Sequence, residues 1–505
     1  MAGQRKAGAV LGYVNVVAKN LVNLMYVPLL LHFVGQGDYG VWQMTNSVVF
    51  TLTLLSAGFS GAYVRFYMQE KTHGTEEDIR RLNGMFIVIY SIVVVICGVA
   101  GVVLVTNTQA LFSGGLNPRE VDLAEQLLII MVFSIAVQLF SNPFNSYIVA
   151  KERFIYQQTR QLFTTLAQPL LAVLLMWLGL GVVGVAMAVL IISIILLLMN
   201  IVYSIRKLDM RFSFTGLQWS LFKALAIFSF WIFLNQIFDM VNNNVPNFLL
   251  GAMASSTVVA TFAISVQIRN IFFAMSTTMS SVFVPMINRL VAEHDDNKVL
   301  TELMTRVGRY QMILFWLLYG GFIVIGQYFV TLWAGEQNAD AYWLAVVMVL
   351  PVAVPLTQNT GIEIQRAKNR HKTRSVIYIF TALLDILIAV LLIPSMGYWA
   401  TAIGYVASIF LGTGLFMNWY YQTRIGLDMF YFWRRQAPTI LMSLAVIAVC
   451  LLGSRFFLPV DSIPTFLLWG VIYVVLFGVA ALRFSLTGQE RSRVVDMMKR
   501  KVIRK

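Results

Sequence analysis

Along this chain, apolar runs of about twenty residues or more alternate with short polar, Gly or Pro breaks. The runs fall at 9–34, 39–67, 82–106, 122–149, 156–179, 181–204, 223–250, 255–288, 307–333, 341–366, 374–394, 397–421, 436–458 and 464–483. At ~1.5 Å rise per residue, some 20 apolar residues in a helix cross a hydrocarbon core of ~30 Å. The pattern therefore predicts an all-α integral membrane protein of about fourteen transmembrane helices. The tightest reversals are expected in Gly-containing turns such as "LGLGVVG" at 178–184 and "IPSMGY" at 393–398.

Composition agrees: 59% of the 505 residues are hydrophobic and only 12% are charged, about half the charged fraction of a soluble domain. The start "MAGQRKAGAVLG" is basic and then apolar, as in a secretory signal. Its apolar region runs to Val34 without a clear cleavage site, so a retained first helix is expected. Cys97 and Cys450 both fall in apolar spans, which supports neither a disulfide framework nor a metal cluster.

The net charge of +14 is sided. Of 37 Lys and Arg residues, 33 fall in alternate loops that include both ends of the chain. The opposite loops hold only Arg119 and Arg455, and Lys19 and Arg269 lie deep in spans. By the positive-inside tendency both termini are expected in the cytoplasm. The tail "RSRVVDMMKRKVIRK" then reads as a segment for the membrane surface, and no nucleic-acid partner is expected.

An internal repeat emerges at offsets of 217 and 218 residues. "AKER" at 150–153 returns as "AKNR" at 367–370, Pro28 as Pro246, and "MN" at 199–200 as "MN" at 417–418. These matches predict two six-helix bundles, 1–206 and 223–425, joined by a linker at 207–222. A helix pair at 436–483 and a basic tail at 484–505 follow. Six is even, so the bundles should be related by a pseudo-two-fold axis along the membrane normal.

Helical spacing gathers the polar groups within spans. Asn15, Lys19, Asn23 and Tyr26 share one face of the first, and Asn235, Asp239, Asn242 and Asn243 one face of the seventh. Ser265, Arg269, Ser276 and Ser280 form a stripe on the eighth. Gln138, Asn142 and Asn145 line the fourth, and Asp385 marks the eleventh. Polar faces on helices from both bundles predict a shared wet cavity, although isolated Ser or Asn side chains also serve as interhelical hydrogen bonders. Lys19 lies ~15 Å into its span, a position that costs a charge roughly 2.5–3.5 kcal/mol. Two readings offset that cost: an anionic ligand in the cavity, or a salt bridge to Asp239, which the repeat places one turn away in depth. Glu363 and Arg366 can snorkel, and Arg65, near the cytoplasmic end of the second span, can do the same or face the cavity mouth.

Several chemistries find no support. "GLGVVG" at 179–184 matches a dinucleotide fingerprint but joins two membrane helices. There is no phosphate-binding P-loop, no zinc spacing among His32, His73, His294 and His371, and no nucleophile–base arrangement. Neither a cofactor nor enzymatic activity is expected.

"LLLHFVGQGDYGVWQ" at 29–43 and "SAGFSGAYVRFYMQEK" at 56–71 resemble the opening helices of bacterial polysaccharide and O-antigen flippases. These belong to the multidrug/oligosaccharidyl-lipid/polysaccharide exporter superfamily. Fourteen spans, a six-plus-six repeat and a final pair agree with that architecture. The resemblance implies translocation of undecaprenyl-pyrophosphate-linked oligosaccharide, with membrane lipids and the polymerase and chain-length regulator of the same pathway as partners. Related lipid II flippases carry cavity bases on the first, second and eighth helices, which Lys19, Arg65 and Arg269 match here, the first as Lys rather than Arg. On this reading Lys19, Arg65, Arg269, Asn15, Asn23, Asn235, Asn242, Gln138 and Asn142 bind substrate, and Asp239 and Asp385 are candidates for ion coupling. An ion-coupled multidrug antiporter of the same superfamily is the nearest rival. A membrane polymerase or glycosyltransferase is less favoured, because no outer loop is large enough for catalytic groups.

Overall fold

The computed structural model describes residues 2–56, 58–216, 222–223, 227, 236, 240, 243–281, 283–293, 296–368, 370, 372–486, 488 and 490–492. Every element among the described residues is helical. Eleven segments are long and apolar enough to cross a membrane. Two of them, Val14–His73 of 60 residues and Phe154–Lys207 of 54, are each long enough for two crossings. That accounts for thirteen of the fourteen expected spans; most of the remaining one, 223–250, lies outside the described residues.

The principal helices of the first half are α1 (Ala2–Thr51), α2 (Phe59–His73), α3 (Glu76–Thr106), α4 (Pro118–Ala150), α5 (Phe154–Leu175) and α6 (Gly181–Val202). Those of the second half are α7 (Ser256–Ser281), α8 (Asn297–Ala334), α9 (Asn359–Ala367), α10 (Lys372–Met396), α11 (Tyr398–Ile409), α12 (Met429–Phe456) and α13 (Ile463–Phe484). The chain divides into two compact units, residues 1–263 with 393–398, and 264–392 with 399–505.

Glycine makes the reversals that the sequence anticipates. Gly35 interrupts α1 at φ 77°, ψ 172°, a region that a side chain would make costly, and separates the first two spans. Gly179 at φ 90° and Gly181 at φ 51° divide α5 from α6. Helix starts are set by capping boxes. Thr75 and Asp78 bond reciprocally before α3, and Asn117 and Glu120 do so before α4, with Pro118 in the first turn.

The fourth and tenth of the expected spans end alike. α4 stops at Ala150 with Lys151 at φ −80°, ψ 6°, and α9 stops at Ala367 with Lys368 at φ −79°, ψ 4°. The Arg153 N–H then reaches back to the Ile148 carbonyl at 3.2 Å, and the Arg370 N–H to the Gln365 carbonyl at 2.9 Å. The shared "AK" tetrapeptides therefore encode one helix-terminating turn used twice.

Within the first unit, Tyr63, Tyr67, Phe86, Tyr90 and Tyr147 pack α2, α3 and α4 together. The segment after α6 is strapped onto this core. Asn83 donates to the Arg211 carbonyl at 2.8 Å, and Tyr147 to that of Leu208 at 3.1 Å. In the second unit Leu300, Met304, Val307, Ile364, Tyr421 and Phe432 form a buried cluster. Large apolar side chains also cover the outside. On α3, Val95 and Val99 are 64% and 61% exposed while Phe86 and Cys97 are fully buried. A helix apolar on both faces packs protein on one and lipid on the other.

Candidate functional site

Four helices of the first unit converge on a cavity of about 510 Å³. α1 contributes Lys19, Asn23 and Tyr26, spaced 4 and 3 residues apart and so on one face. α4 contributes Gln138, Ser141, Asn142 and Asn145, and α6 contributes Ser193 and Asn200. α5 presents Gln157, Gln161, Thr164 and Gln168 at intervals of 4, 3 and 4, with Arg160 beside them. Such a polar wall within the span of an apolar bundle is tolerated because it faces water rather than lipid.

The electrostatics are one-signed. Among the described residues the lining holds two bases, Lys19 and Arg160, and no carboxylate. The Lys19 side chain is exposed to the cavity, whereas Arg160 is half-buried and held by neutral partners. Its Nη1 donates to Asn200 Oδ1 at 2.6 Å and its Nη2 to Asn145 Oδ1 at 2.8 Å. Asn200 Nδ2 in turn donates to Ser141 Oγ at 2.8 Å. Gln138 Nε2 donates to Ser193 Oγ at 3.0 Å and ties α4 to α6 further along.

Of the expected substrate residues, Lys19, Asn23, Gln138 and Asn142 line this cavity. Asn15 is on the same face of α1 but buried, and donates to both the backbone and side-chain oxygens of Gln158 at 2.8 Å. It fastens α1 to α5. Arg65 is exposed, with its Cζ 6.0 Å from the Phe66 ring centroid, and does not line the cavity. Asn235, Asp239 and Asn242 lie outside the described residues.

Arg269 and Asp385 come together in the second unit. Both are buried, at 1% and 2% exposure, and within electrostatic reach of each other. The Arg269 guanidinium lies over the Tyr405 ring at 4.4 Å. Gly404 makes room for this cluster, because a Cβ there would collide with Asp385 Oδ1. Glu363 and Arg366 pair with each other at 2.7 Å on an exposed helix end, as snorkelling side chains do. Among the described residues no three His, Cys, Asp or Glu side chains gather as a metal site.

Arg160 is the residue that sequence reasoning missed. Its nearness to Lys151 and Arg153 makes it read as part of a basic loop, yet α5 begins at Phe154 and carries Arg160 nearly two turns in. A signal is present in the sequence: Gln157, Gln161, Thr164 and Gln168 mark a polar stripe of helical period in "YQQTRQLFTTLAQP".

The comparisons with known proteins bear on this geometry. The family model for polysaccharide biosynthesis proteins matches residues 6–291, more than half of the chain and all of the cavity helices. The chain belongs to this family. None of the curated proteins compared matches it. Among solved structures, the lipid II flippase MurJ in its inward closed conformation superposes with a TM-score of 0.74 at 15% identity, covering 94% of this chain and 99% of that one. An inward-facing multidrug resistance MATE family transporter of the MOP superfamily gives 0.63 at 16% identity, over 81% and 94%. A point mutant of the Vibrio cholerae MATE transporter VcmN gives 0.54 at 14%, over 84% and 99%. At these identities the likeness establishes a shared fold, the one expected from the sequence.

Proposed function

We propose that this polysaccharide biosynthesis family member is a flippase. It carries an undecaprenyl-pyrophosphate-linked oligosaccharide, the repeat unit of an O-antigen, capsule or exopolysaccharide, from the inner to the outer leaflet by alternating access. The observation that supports this reading is the cavity whose described lining contains Lys19 and Arg160, many amides and hydroxyls, and no carboxylate. Amides and hydroxyls suit sugars, and the two bases suit the pyrophosphate, Lys as a point charge and Arg as a bidentate fork. The polyprenyl tail needs no shielding and stays in lipid. A multidrug antiporter on the same fold would present acidic groups to a cationic drug, the opposite of what the described lining offers.

Two experiments test the reading. Purified protein in proteoliposomes should move a fluorescent polyprenyl-pyrophosphate-linked sugar between leaflets. Export of cationic dyes without movement of that lipid would overturn the proposal. The second concerns sidedness in the inner membrane, with both termini and the linker cytoplasmic. Reporter fusions after Arg211 and Lys372 should read cytoplasmic, and fusions at Asn117 and Asn338 external. One fusion on the wrong side breaks the map.

A further inference from the structure

Resting on that reading, we infer that Asn145 and Asn200 are positioning residues that hold the Arg160 guanidinium in the cavity without cancelling its charge. A guanidinium on a transmembrane helix needs acceptors, or its long stem swings to the membrane surface. A carboxylate would fix it more strongly but would form a neutral pair of little use to an anion. Here both acceptors are carboxamide oxygens, from α4 at 2.8 Å and from α6 at 2.6 Å. Their orientation is unambiguous, because a guanidinium can only donate.

The scaffold around these acceptors is fixed. Asn200 is 2% exposed and spends its own N–H on Ser141 Oγ. Three helices thus meet at one cation that keeps its full positive charge. The two bonds occupy two of the five guanidinium N–H groups, so three remain for a phosphoryl oxygen pair. The specificity that follows is for the anionic headgroup of the carrier lipid rather than for its sugar.

Asn145→Asp and Asn200→Asp preserve shape and acceptor while adding the charge that the native site avoids. Each should lower flipping of the polyprenyl-pyrophosphate probe in proteoliposomes by about tenfold or more, with abundance and thermal stability at or above wild type. Binding of inorganic pyrophosphate by the detergent-solubilised protein should weaken in parallel. Asn145→Ser and Asn200→Ser keep an acceptor without charge and should stay within about threefold of wild type. Equal losses in the Ser and Asp variants would mean that packing matters and charge does not, which overturns the inference. Wild-type flipping by the Asp variants beside an inactive Arg160→Ala also overturns it while leaving the flippase reading intact. Normal flipping by Arg160→Ala would likewise overturn the inference, since the guanidinium would then have no role, whereas no flipping of the probe by the wild-type protein would overturn the flippase reading itself.

Discussion

Replacing Lys19 and Arg160 together by alanine is expected to abolish flipping of a pyrophosphate-linked lipid at normal membrane abundance. Both line the cavity, and the described lining has no other ionisable base. A hydrogen bond to a charged group contributes roughly 1.5–3 kcal/mol, so each single alanine change should cost about ten- to a hundredfold in transport. Lys19→Arg keeps the charge but not the compact geometry and should retain partial activity. The measurement is accumulation of the lipid-linked substrate in the inner leaflet, with protein abundance read alongside. Normal translocation by the double variant would sink the anionic-cavity hypothesis. The Lys19–Asp239 salt bridge expected as an alternative predicts a different pattern. Removing either partner would then be harmful, and removing both would restore transport.

Much of the fold was legible because the membrane imposes a strong, one-dimensional constraint. Every backbone group in lipid must be satisfied within its own helix, so span boundaries follow apolar length and Gly or Pro breaks. Gly35 and the Gly179–Gly181 pair stand where the pattern broke, at backbone angles that glycine accepts at little cost. The tenth span was harder to read. It is built from Ala341–Val349, Ala353–Thr357 and α9 with a 3-10 turn between, and hydropathy alone cannot see such breaks inside one apolar run.

The site was legible where polarity contradicted its surroundings. Lys19, Asn23, Gln138 and Asn142 stand out against apolar neighbours, and all four line the cavity. Arg160 did not stand out, because a base near the start of a span reads as positive-inside charge. Only the three-dimensional meeting of α4, α5 and α6 gives it acceptors on both sides. Arg269, which the resemblance offered as a substrate ligand, is buried against Tyr405 within electrostatic reach of Asp385 and outside the lining of this cavity.

Asp385→Asn is accordingly expected to cause the largest loss of stability in the second unit. The change is nearly isosteric, so it adds no clash with Gly404, but it leaves Arg269 buried without this counter-charge. Removing one partner of a directly bonded buried pair costs roughly 3–5 kcal/mol, an upper bound for these two charges, which interact without a direct ion pair. Arg269→Gln should cost less, since a stranded carboxylate can neutralise itself by taking up a proton, whereas a guanidinium stays charged. The double variant Arg269→Gln, Asp385→Asn removes both charges and keeps polar atoms in place. It should recover most of the lost abundance and thermal stability in detergent. Full stability of Asp385→Asn alone, or a double variant no better than that single, would show that the two charges do not depend on each other. The recovered double variant also reads function. If it folds and flips the lipid at wild-type rate under an imposed proton or sodium gradient, Asp385 carries no coupling ion, and its role is to let a buried arginine exist.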